Sequence, residues 1–130
     1  MKNKIIVAIA LALLLCTSCI KSDDYKLTEF FLTNHCDQAI EVTSSALVRY
    51  NEGWVEESLI DHVSPGETLL MRKLRVVRDF SMSSVFTKIE IRKGNAFSTV
   101  DALDRDRWVK TLSTEDKDEY TLTVDASFFN

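Results

Sequence analysis

The chain has 130 residues, with 16 Lys and Arg against 20 Asp and Glu and a formal charge of −4. That acidic balance excludes nucleic acid as a partner and offers nothing to anionic lipid, since both require basic surface. Three cysteines in the whole chain are too few for a disulfide-stapled scaffold.

The chain opens with Lys2 and Lys4, followed by an unbroken apolar run from Ile5 to Leu15. Those 11 residues match a signal-peptide core of about 7–15. They fall short of the roughly 20 that span a bilayer as a helix. Small residues, Thr17 and Ser18, stand directly before Cys19. The segment resembles a bacterial lipobox, an aliphatic residue and two small ones before the lipid-bearing cysteine. Cys16 occupies the position where such motifs carry leucine. Lipidation at Cys16 itself would put Leu15 where a small residue is required. The expectation is therefore a lipoprotein signal peptide over residues 1–18 and acyl chains on Cys19, with the lipid bilayer as first partner. The alternative is a plain secretory signal cleaved near Ser18. Several acyl chains, at about 0.8 kcal/mol per buried CH₂, make a permanent tether.

Residues 19–26 read as that tether. Lys21 followed by Asp23 and Asp24 resembles the export signal of surface lipoproteins in some Gram-negative bacteria, which implies an outer-membrane location facing the cell exterior. The plainer alternative is a solvated linker. Residues 20–26 extended would reach on the order of 20–25 Å, enough to clear the headgroups.

Removal of residues 1–18 leaves 112 residues, one domain over 27–130, with 14 basic against 20 acidic residues and a charge of −6. Once Cys19 is acylated, Cys36 stands alone, so hydrophobic burial must hold the fold; Cys36 is expected as a small buried or half-buried apolar residue rather than a reactive thiol. Period-two alternation dominates the mature chain. Tyr25 to Thr33 reads as a strand. Ile40, Val42, Ser44, Ala46, Val48 and Tyr50 line one face of a long second strand. Asn51-Glu52-Gly53 turns the chain into Trp54 to Val63. Ser64-Pro65-Gly66-Glu67 is a type II turn leading to Thr68 to Val77. Arg78 to Ser84 is irregular; Val85 to Ile91 alternates again, and Lys93-Gly94-Asn95 closes a hairpin onto Ala96 to Val100. Asp101 to Glu119 is polar apart from Trp108, Val109 and Leu112, and Tyr120 to Val124 is the last strand. About seven antiparallel strands and no convincing helix predict an all-β, immunoglobulin-like sandwich, with a small barrel as the alternative.

Phe31-Leu32-Thr33-Asn34, Ile40-Glu41-Val42, Ser64-Pro65-Gly66-Glu67 and Tyr120-Thr121-Leu122-Thr123-Val124 resemble the small immunoglobulin-like β-sandwich lipoproteins of gut-type Gram-negative bacteria, a family of unknown function. The resemblance implies a fold and a cell-envelope location, and it carries no catalytic residues.

No enzyme motif is present: no phosphate-cradling glycine loop, no nucleophile elbow, no metal-ligand spacing. His35 and Cys36 would point to opposite faces as neighbours in a strand and could converge only in a turn. His62 beside Asp61 reads as solvated. Asp101, Asp104 and Asp106 alternate with Arg105 and Arg107 and lack the glycine of a calcium loop, so they read as a charged loop rather than a metal site. Trp54 and Trp108 are the candidate ligand contacts, aromatics able to stack on a glycan or a partner protein. Trp108, among Arg105, Arg107 and Lys110, is expected to be the more exposed. The function expected is a non-enzymatic binding or adhesion module without a cofactor; a periplasm-facing accessory subunit, docked by a sheet edge, is the alternative.

Overall fold

The computed structural model describes residues 25–130. The signal segment, Cys19 and the Lys21, Asp23 and Asp24 trio lie outside the described residues. The described residues contain eight strands: β1 (Tyr25–Asn34), β2 (Ile40–Tyr50), β3 (Gly53–Val63), β4 (Thr68–Val77), β5 (Lys88–Lys93), β6 (Ala96–Phe97), β7 (Trp108–Ser113) and β8 (Lys117–Val124). They form two four-stranded sheets, ordered β4-β1-β8-β7 and β3-β2-β5-β6. The expected sandwich is therefore observed, where a constant-type immunoglobulin domain has sheets of four and three strands.

Alternation in sequence becomes alternation in burial. Thr28, Phe30, Leu32 and Asn34 of β1 are buried, as are Ile40, Val42 and Ser44 of β2 and Tyr120, Leu122 and Val124 of β8. Phe30 is the centre of the core. Its ring meets Phe80, Phe86 and Trp108 edge-on and lies stacked with Tyr120, all at centroid distances of 5.6–5.9 Å. Each fully buried side chain of this size contributes roughly 1.5–3 kcal/mol, so this aromatic cluster takes the place that disulfides hold in stapled domains.

Two details differ from expectation. The β1–β8 pair is parallel, Leu27 through Asn34 against Lys117 through Val124, so that sheet is mixed. Parallel neighbours cannot be joined by a hairpin, and here the rest of the domain forms the connection. Second, the polar stretch after Asp101 contains a strand, β7, paired antiparallel to β8 with a bulge near Thr111. A single helical turn, α1 (Met82–Val85), sits in the irregular segment and plugs the core with Met82 and Val85.

The β1–β2 loop is tied down by Asn34. Its buried side-chain amide donates to the carbonyls of Gln38 and Val63, both at 2.9 Å, and its oxygen accepts from the Cys36 backbone N–H at 2.8 Å. Cys36 enters the core as expected. His35 beside it is exposed, so the two point apart.

Candidate functional site: an open strand edge

β2 and β3 pair along their whole length, from Ile40 opposite Val63 to Tyr50 opposite Gly53. The turn at Asn51-Glu52 closes because Gly53 adopts φ 128°, a conformation that favours glycine. β5 pairs with β2 only from Glu41 to Ser45. From Ala46 onward the hairpin continues past the rest of its sheet as a two-stranded ribbon. β3 is the outermost strand of that sheet and β4 the outermost strand of the other. The short Ser64–Glu67 turn joins them, so the two edges lie on the same side of the sandwich and run in opposite directions.

The sheets do not close over each other along this side. A crevice of about 90 Å³, lined by Ala46, Val48, Leu59, Met71, Arg72 and Phe86 among others, leads from the β3–β4 edge toward the core. Arg72 spans its mouth. Its guanidinium donates to the carbonyl of Val85 and, at 3.0 Å, to that of Leu47. Burial lowers the pKa of this guanidinium from its ordinary value, yet it has no carboxylate partner among the described residues.

β3 is exposed on both faces. On the crevice side stand Val55, Glu57 and Leu59; on the outer side stand Trp54, Glu56, Ser58 and Ile60. Leu59 is 61% exposed and Ile60 64%. Scattered exposed leucines are ordinary, but apolar side chains on both faces of one edge strand form a patch that calls for a cover. At the ribbon tip the Tyr50 hydroxyl donates to Glu57, a bond that raises the tyrosine pKa.

Of the two tryptophans, Trp54 belongs to this surface. It is 62% exposed on the ribbon, with the Arg49 guanidinium 5.5 Å from its ring. Trp108 does not, which corrects the expectation from its polar neighbours. It is 5% exposed, stacks at 6.1 Å on Phe86, and its Nε1 donates to the Ala102 carbonyl at 2.8 Å. Its charged neighbours cover aromatic faces: Arg105 lies 4.2 Å over Phe80 and Lys110 5.6 Å over Tyr120.

The remaining polar clusters are structural. Among the described residues no group of three or more His, Cys, Asp and Glu side chains converges on a metal position. Asp101 and Asp104 accept from the backbone N–H groups of Leu103 and Asp106 and so shape the loop. Asp125 likewise caps the last helical turn, and its bonds from Ser127 lower its pKa. His62 is exposed, 3.9 Å from a Glu41 carboxylate that Arg92 already holds at 3.0 Å. A cavity of about 350 Å³ at the Tyr25 end is lined by Lys26, Arg78, Arg105 and Lys110, but Asp118 also lines it and pairs with Lys26 at 2.9 Å.

The fold and this edge together define an all-β sandwich open along one side. No protein-family model, no curated protein and no solved structure matches the chain.

Proposed function

We propose that this protein is a lipid-anchored, non-enzymatic docking module of the bacterial cell envelope, held at the outer membrane through acylated Cys19 and engaging a protein partner along the β3–β4 edge. The observation that carries the docking reading is β3 itself. Eleven residues long, it presents one row of backbone N–H and C=O groups to solvent, flanked by Trp54, Val55, Leu59 and Ile60. Strand addition to such an edge draws affinity from the main chain and selectivity from the alternating side chains. The anchor rests on the lipobox-like Thr17-Ser18-Cys19, and the outward orientation on Lys21, Asp23 and Asp24.

A photo-crosslinking residue at Ile60, with the same residue at Thr111 on the opposite edge as control, tests the docking reading in living cells. Adducts with a protein at Ile60 and none at Thr111 are expected; absence at Ile60, or equal capture at both, refutes it. Mass spectrometry of the N-terminal peptide tests the anchor, with an unacylated Cys19 as the refuting result. Protease treatment of intact cells separates an external domain, which is degraded, from a periplasmic one, which survives.

A further inference from the structure

The two open edges differ in charge. β3, GWVEESLIDHV, carries Glu56, Glu57 and Asp61 and neither Lys nor Arg. β4, TLLMRKLRVV, carries Arg72, Lys73 and Arg75 and no acid. This segregation is not consumed within the molecule: among the described residues no ion pair joins β3 to β4. We propose that the occupant of the edge is a second copy of this chain, with β3 of each copy adding antiparallel to β4 of the other. The proposal rests on the docking reading and names its partner.

Geometry permits this with a single two-fold axis. β3 and β4 run oppositely on the same side of one protomer. An axis parallel to the strands, midway between the sheets, leaves strand directions unchanged and exchanges the two sheets. It therefore sets β3 beside the partner's β4, antiparallel, and does so twice. Both sheets continue across the interface as eight strands, and the crevice at Leu59, Met71 and Phe86 is covered. Self-pairing of this kind is isologous and closes at two copies.

The register comes from Arg72. Its guanidinium reaches the Leu47 carbonyl, and Leu47 pairs with Glu56, so the head of the Arg72 side chain lies near the level of Glu56 and Glu57. Setting Glu57 opposite the partner's Arg72 places both on the crevice face. The same register sets Glu56 against the partner's Lys73 on the outer face, Val55 against the partner's Leu74 inside and Trp54 against the partner's Arg75 outside. Four successive positions thus match in face and in chemistry: two ion pairs, an apolar pair and a cation over an indole. The alternative alignment, β3 with the partner's β3, would oppose acid to acid and β4 cation to cation.

The test is a charge swap on full-length protein purified in detergent, with oligomeric state read by sedimentation velocity over a concentration series. Wild type is expected to dimerise. E56K on β3, and separately K73E on β4, set like charge against like at both Glu56–Lys73 contacts of a homodimer and should each weaken self-association by at least about tenfold. An equimolar mixture of the two variants should recover a dimer, because reversed β3 then meets reversed β4 and the second pair retains native charges. Both positions are exposed, and unchanged circular dichroism checks the fold. A monomeric wild type, or variants that dimerise as well as wild type, overturns the proposal, as does a mixture that stays monomeric. A monomeric wild type whose Ile60 position still cross-links a different protein would remove self-pairing alone and leave the docking reading intact.

Discussion

Replacing Trp108 by phenylalanine separates a core residue from a ligand contact. The substitution removes the Nε1–H that donates to the Ala102 carbonyl at 2.8 Å and leaves that acceptor without its partner. An unsatisfied buried polar group costs about 1–3 kcal/mol. The lost half of the indole adds a cavity beside Phe30 and Phe86, so the total is about 2–4 kcal/mol. Set against about 5–15 kcal/mol for a domain of this kind, that is a substantial fraction. At about 5 °C per kcal/mol it lowers Tm by about 10–20 °C. Trp54→Phe, on the exposed ribbon, should change stability by less than about 0.5 kcal/mol. Because the chain has two tryptophans, each variant leaves one reporter. Acrylamide should quench Trp54 fluorescence in the Trp108→Phe protein and barely touch Trp108 in the Trp54→Phe protein. Urea unfolding at equal m-value supplies the free energies. Equal quenching of the two indoles, or an unchanged midpoint for Trp108→Phe, would refute the burial assigned to Trp108.

Asn34→Ala deletes three hydrogen bonds at once and should destabilise by about 3 kcal/mol, read from the urea midpoint, with the β1–β2 loop showing the greatest gain in amide exchange. Cys36 is buried, and that burial raises its thiol pKa; a soluble thiol reagent should label it slowly in native protein and rapidly in urea. For Asp118, burial pushes the carboxyl up, but hydrogen bonds from Lys26 and Ser113 and the charge of Lys110 outweigh it and the net pKa is lowered. A depressed carboxylate stabilises the fold above its unfolded pKa of about 3.9, and that stability drains away as pH falls through the folded value. Asp118→Asn should therefore flatten the acid limb of a stability–pH curve; an identical acid limb would refute the ion pair's role.

What was legible in the sequence is what alternation can encode. β1, β2 and β8 each bury one face, and a period of two is the direct imprint of that. Turns were legible where glycine or proline chemistry required them, at Gly53, Pro65-Gly66 and Gly94. β7 was hidden because only its first residue, Trp108, is buried; an edge strand with five exposed positions has no period to read. Trp108 itself was misplaced for a related reason. Arg105 and Lys110 mark solvent nearby, but long cationic side chains lie across aromatic faces and so shield them. The crevice was illegible altogether, since Leu59 and Met71 are brought together by the stacking of two sheets, which no local pattern records.

In the proposed dimer the charge pattern along the edge also guards an exposed strand as long as β3 against fibre growth. Natural edges are commonly guarded by lysine, proline or brevity, and β3 has none of these. An acidic β3 repels another β3, and a basic β4 repels another β4. Only the mixed pairing is favoured, and with both edges on one side a two-fold dimer satisfies both at once. The edges left outside are short: β6 has two residues, and β7 six with a bulge. Growth beyond two copies would have to start from those or from the short far side of β2 beyond Ser45, so the charges that select the partner also limit the assembly. Adding charge of the wrong sign to β3 should weaken the pairing. The triple variant E56K/E57K/D61K, mixed with wild type, can satisfy only one of its two edges per contact, and light scattering should show weaker association than either the wild-type dimer or the complementary pair. Association as strong as wild type would mean that backbone pairing, rather than charge, chooses the partner.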